Sequence, residues 1–226
     1  EYIMGGPRAY GFFYGDTFDG AQLKYQNDKF AATAGYGKFK EGPIGGAWTG
    51  SYNLDEDNDY DVEASAKTAY GELEGFFGGG RMAGSAVGVY YNNIMPNASA
   101  TNKDTTINGA FDNIDVWGAY ASVNFGKWNA LANYEKINSN NSYLEAGNTK
   151  DPEVWIGKLT YGSADNDARG SWDAWVEYLN SDKGALLGGA TNSWRDDSVL
   201  NNVKSWGVGI DYTLAKNVIL TAAQTF

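Results

Sequence analysis

The sequence predicts an all-β fold, a transmembrane antiparallel up-and-down β-barrel, on three observations. Apolar and polar residues alternate in short segments, the segments pair across tight turns, and the links between pairs are much longer than those turns. Composition agrees, because the 226 residues hold 30 glycines and 15% aromatics but only 4 prolines. Glycine weakens helices, whereas aromatic side chains suit a pleated surface. Mean hydropathy is −0.47, and no run approaches the roughly 18 apolar residues of a membrane-spanning helix. A spanning strand needs apolar residues only at every second position, so a low average is compatible with it.

The first pair is FDGAQLKYQ (18–26) and FAATAGYGKF (30–39), split by Asn27, Asp28 and Lys29. In its second arm Phe30, Ala32, Ala34 and Tyr36 share one face. The next pair, TAYGELEGFF (68–77) and RMAGSAVGVYY (81–91), is joined across the glycines 78–80. The third is the clearest: in DVWGAYASVNF (115–125), Trp117, Ala119, Ala121, Val123 and Phe125 alternate with Gly118, Tyr120, Ser122 and Asn124. A turn at Gly126-Lys127 leads to a return strand with Trp128, Ala130, Ala132 and Tyr134 in phase. EVWIGKLTYG (153–162) then meets SWDAWVEYL (171–179), and SWGVGIDYT (205–213) turns through Leu214–Asn217 into VILTAAQTF (218–226).

Ten strands in five hairpins result, each near the roughly 9–11 residues that a tilted strand needs to cross a bilayer. The chain reads as a single domain, 1–226, with residues 1–17 forming a loop and 18–226 the hairpins. Long connections rich in Gly, Asn, Asp and Ser fall near 40–65, 92–113, 137–152 and 180–203. Short turns at one rim and long loops at the other are the asymmetry of an outer-membrane barrel.

The two faces differ in chemistry. Trp117, Tyr134, Trp172, Tyr178, Trp206 and Tyr212 lie on the apolar face, mostly toward strand ends, where interfacial girdle residues belong. Small residues at the middle of that face would pack loosely in a protein core, while lipid tails conform to them. The opposite face carries Lys24, Glu72, Glu74, Glu135, Lys158, Asp173, Glu177 and Asp211. Charges of both signs there describe a water-filled interior better than a dry one.

Several function classes recede on composition. A net charge of −11 argues against nucleic acid, which needs a basic face. The chain has no cysteine and no histidine, so it lacks thiolate sites and the commonest general base. Carboxylates are plentiful, but no pair is singled out by spacing as a glycosidase pair. Neither enzymatic activity nor a cofactor is therefore expected. Asp55, Asp57, Asp59 and Asp61 alternate in an acidic run that oxygen-seeking calcium favours. The run lacks the glycine and the glutamate of a calcium-binding loop, and reads better as solvated acid.

With these features the chain resembles the Gram-negative porins. The alternating strands, the rim asymmetry and the stretch PRAYGFFYGDTFDGAQLKYQNDKFAATAGYGKF (7–39) carry the likeness, in the idiom of trimeric porins tethered through an S-layer-homology domain. The resemblance implies a homotrimer in the outer membrane of a diderm bacterium, in contact with lipid and lipopolysaccharide. It also implies a channel for small hydrophilic solutes and ions. Within it, residues 1–17 match an inward-folding loop, so that Arg8 facing Glu72 and Glu74 would form a constriction. The family's barrels have roughly 16 strands, so these ten are expected to be an arc of a larger one; Gln224, which breaks the terminal alternation, and an opening within a loop agree. The opening EYIMGGPRAY has no charged-then-apolar signal, so an exported chain would be a mature or trimmed one. Two other readings compete: a soluble β-rich, lectin-like carbohydrate-binding module, and a membrane barrel that anchors without conducting.

Overall fold

The computed structural model describes residues 18–39, 61–101, 106–108, 114–139, 150–185, 194–195 and 200–226. They form one antiparallel sheet. Its strands are β1 (Phe18–Gln26), β2 (Phe30–Phe39), β3 (Asp61–Phe77), β4 (Ser85–Thr101), β5 (Thr106–Asn108), β6 (Ile114–Phe125), β7 (Trp128–Ser139), β8 (Glu153–Ser163), β9 (Trp172–Ser181), β10 (Val203–Ala215) and β11 (Val218–Thr225). Ten follow one another in an up-and-down path from β1 to β11, and the short β5 pairs with β4 off that path. The sheet is not closed: among the described residues β1 pairs only with β2, and β11 only with β10.

Turn chemistry sets the hairpins. Asn27 accepts the backbone N–H groups of Lys29 (2.8 Å) and Phe30 (2.9 Å) through Oδ1, closing the first turn. Gly126 adopts φ 71° at the first central position of the two-residue β6–β7 turn, a conformation that costs glycine little. The five expected hairpins are present, and their sequence phase is right because a strand's period of two leaves no other register that keeps one face apolar.

Strand lengths differ from the expectation. β3 and β4 each run 17 residues, so residues 61–65 and 92–101, expected within long connections, are strand. Residues 137–139 likewise belong to β7. The extension continues the antiparallel register, which runs through Ala66 opposite Pro96 to Asp61 opposite Thr101. The second turn also moves: a 3₁₀ turn spans Gly80–Met82, and the return strand begins at Ser85 rather than at residue 81.

The sheet exposes a face that is itself apolar. The face carrying Leu23, Leu73, Val89, Trp117, Trp155, Trp206 and Leu220 is exposed, reaching 80% at Leu23 and 55% at Trp206. The opposite face is the buried one, and on it Glu135 (1%) and Glu177 (0%) share the interior with aliphatic side chains such as Ile94, Ile114, Val116, Ile156 and Leu179. Gln224 lies on the apolar face opposite Val208.

Candidate functional site

The polar face is built from a repeated cross-strand unit. Tyr90 of β4 lies opposite Gly118 of β6, and Tyr120 of β6 lies opposite Gly88 of β4. A Cβ on either glycine would fall inside the facing tyrosine ring, so only glycine leaves each ring room to lie flat across the neighbouring strand. Tyr70 covers Gly35 in the same way, and Trp175 covers Gly209.

The Tyr90, Tyr120 and Trp175 rings each deliver a donor to an acid. The Tyr90 hydroxyl donates to Glu135 Oε1 at 2.5 Å and accepts from Asn133 Nδ2 at 3.0 Å. The Tyr120 hydroxyl donates to Glu74. Trp175 Nε1 donates to Asp211 Oδ2 at 3.1 Å, and Lys158 Nζ sits 4.5 Å from the Trp175 ring centroid, within cation–π range. Buried carboxylates demand such partners, because an ion without them is costly outside water.

A segment of the β9–β10 connection lies against this face. Arg195 pairs with Glu177, Nη2 to Oε1 at 3.1 Å and Nε to Oε1 at 3.2 Å, and both side chains are almost wholly buried. Arg195 also donates to the Ser205 hydroxyl. Trp194 Nε1 approaches Glu177 Oε1 at 3.3 Å, and its ring packs 5.1 Å from that of Trp175. The segment comes so close because Gly207 has no side chain: a Cβ there would stand 2.8 Å from Trp194 Cζ2.

The exposed face is banded. Near the short turns stand Phe125, Trp128, Tyr161 and Trp172, with Trp128 and Tyr161 rings 4.8 Å apart and Tyr161 and Trp172 5.9 Å apart; Tyr212 is the register partner of Trp172. A second row pairs Tyr91 with Trp117 and Tyr134 with Trp155, each at 4.3 Å, and Tyr178 with Trp206 at 5.0 Å. The rows are six residues apart on β7 to β10, about 20 Å along a strand. Small and aliphatic residues such as Val89, Ala132, Leu159, Val176 and Ile210 fill the interval. Beyond the second row the same face turns polar. Asp115 accepts from Tyr91 (2.6 Å) and Asn93 (2.7 Å), and Lys136 pairs with Glu153 at 3.6 Å.

The sequence-derived residues fall as follows. Lys24, Glu72, Glu74, Glu135, Lys158, Asp173, Glu177 and Asp211 share the polar face, where Asp173 and Asp211 are direct register partners, as are Lys158 and Glu177. Lys24 is exposed on the edge strand, and Glu72, Glu74, Glu135 and Glu177 are buried. Trp117, Tyr134, Trp172, Tyr178, Trp206 and Tyr212 occupy the two aromatic rows. Arg8, Asp55, Asp57 and Asp59 lie outside the described residues, and Asp61 begins β3. The arginine that meets a described carboxylate is Arg195, which sequence reasoning passed over inside a long connection. The covering tyrosines were missed too, although the two Gly-x-Tyr triplets 88–90 and 118–120 signal them.

Comparison of the sequence with protein-family models and with curated proteins gives no match.

Proposed function

We propose that the sheet is outer-membrane barrel wall and that the protein works as a porin, a passive channel for small hydrophilic solutes and ions. The observation that carries this reading is the exposed apolar face of the sheet, opposite a face that holds the buried carboxylates Glu72, Glu74, Glu135 and Glu177. Monomeric soluble proteins rarely expose contiguous apolar patches beyond a few hundred Å², and this one runs across ten strands. The two aromatic rows bounding an aliphatic band support the same reading, because aromatic rings settle at both membrane–water interfaces. A lectin-like module would need its tryptophans exposed, but would have no use for the aliphatic band between them.

The polar face then faces solute, with Lys158, Asp173 and Asp211 setting its charge and the Trp194–Arg195 segment narrowing the passage. Partners in this reading are the lipid bilayer and lipopolysaccharide, with the homotrimer that the resemblance implies. A second reading, a non-conducting anchor barrel, is favoured by the burial of Glu135 and Glu177, since a filled interior leaves little room for solute. Two measurements separate the readings. Heat-modifiable gel migration from detergent is expected for either barrel, and a protein that stays soluble and monomeric without detergent overturns both. Stepwise conductance in planar bilayers is expected for the channel and absent for the anchor.

A further inference from the structure

The short-turn rim carries a site that a plain barrel wall does not need. A pocket of about 960 Å³ lies among the Gly80–Met82 turn, the Gly126-Lys127 turn and the β8–β9 connection. Two cations, Arg81 and Lys127, line it together with Trp128, Tyr161 and Trp172. Backbone bonds fix the turns around it: Gly126 N–H donates to the Arg81 carbonyl at 2.9 Å, and Gly162 N–H to the Lys127 carbonyl at 2.8 Å. Among the described residues neither cation pairs with a carboxylate. This is notable in a chain of net charge −11. The bias extends along the rim, where Lys29, Arg81, Lys127, Arg169 and Lys216 outnumber Asp28, Asp165 and Asp167.

We propose that this pocket binds the headgroup of an anionic glycerophospholipid. Arg81 offers a planar fork of donors that matches phosphate oxygens, and Lys127 adds a point charge. Trp128, Tyr161 and Trp172 belong to the aromatic row bordering the aliphatic band. They take the glycerol and the first acyl carbons while the phosphate stays at the wet edge. A free anion would use the cations but not the aromatic border, and for that reason the assignment is to a lipid. The proposal rests on the membrane reading above.

The test is native mass spectrometry of the full chain in detergent micelles, with phosphatidylglycerol and phosphatidylcholine of matched acyl chains in competition. The wild type is expected to retain phosphatidylglycerol roughly five-fold over phosphatidylcholine, as a basic interfacial pocket should. Arg81→Gln/Lys127→Gln is expected to abolish that preference, and Arg81→Lys/Lys127→Arg to keep it. Trp172→Ala, with both charges present, is expected to reduce retention of both lipids. A heat-modifiable wild type without preference, or a preference that survives the double glutamine variant, overturns the lipid site alone. Complete displacement of phosphatidylglycerol by millimolar inorganic phosphate overturns the assignment to lipid. A wild type that is soluble and monomeric without detergent overturns the membrane reading and this proposal together.

Discussion

Tyr90 and Glu135 stand two strands apart, on β4 and β7, yet the tyrosine hydroxyl lies 2.5 Å from the carboxylate. It reaches because Gly118 of β6 lies under its ring, and Gly118 is the register partner of both residues. The relationship repeats in the opposite direction. Tyr120 of β6 crosses Gly88 of β4 to Glu74 of β3, and Gly88 is again the partner of both. Two antiparallel Gly-x-Tyr triplets thus lock four strands through their side chains as well as through the backbone ladder.

Gly118→Ala should therefore act through Tyr90. The added methyl forces the ring off the strand and separates its hydroxyl from Glu135, at a cost of about 1–3 kcal/mol for an overpacked site. Tyr90→Ala removes the obstacle, so the double variant should lose less than the sum of the singles, with coupling of about 0.5–3 kcal/mol. Denaturant unfolding of the folded protein measures the cycle. Additive losses would mean that the ring and the glycine do not meet.

The Arg195–Glu177 pair supplies a second prediction. Deleting one member of a buried ion pair leaves the other charged and alone, typically a loss of about 3–5 kcal/mol. Arg195→Met should thus loosen the β9–β10 segment far more than a surface pair such as Lys216–Asp167, whose removal should cost at most about 1 kcal/mol. In the channel reading, release of this segment widens the passage, and conductance should rise roughly 1.5-fold. A single-channel record identical to the wild type would remove the segment from the conduction path.

In the membrane reading, depth should govern substitutions on the exposed face. Val176 lies between the aromatic rows, four residues from Trp172 and two from Tyr178, whereas Trp206 lies within one. Arginine at a bilayer midplane costs about 2–4 kcal/mol and near an interface about 0–1 kcal/mol. Val176→Arg is therefore expected to destabilise the vesicle-folded protein strongly, while Trp206→Arg loses little beyond its ring contact with Tyr178. Equal costs at the two sites would argue against a bilayer around this face.

The pairing of strands was legible in the sequence because period-two alternation and turn residues are local signals. Trp117 and Tyr134 announce their face within a few residues of chain. The same logic stops where the alternation stops. β3 and β4 continue through residues such as Ala66 and Pro96, whose side chains carry no face signal, so their outer halves read as loop. Arg195 was invisible for a different reason. In the sequence SWRDD (193–197) it is one more charge in a polar connection, and only the closeness that Gly207 permits brings it to Glu177. The Tyr–Gly–Glu units fall between these cases: their triplets are written in the chain, but their partners depend on register across three strands.

Asp173 and Asp211 give the last prediction. They face each other on β9 and β10 of the polar face, and both are only half-buried, so their charge reaches whatever fills the space beside it. Asp211 is already engaged, accepting from Trp175 at 3.1 Å and from Thr221, while Asp173 accepts the Ala164 N–H at 2.9 Å. Replacing both by asparagine keeps the shape, removes two negative charges and leaves Lys158 as the dominant nearby ion. If this face lines a channel, the cation-to-anion permeability ratio should fall roughly two-fold at low salt. The difference should shrink as salt rises toward 1 M, where the screening length falls to about 3 Å. Reversal potentials across asymmetric potassium chloride measure it. A ratio that ignores both substitutions would place these carboxylates away from the permeating ions and favour the anchor reading over the channel.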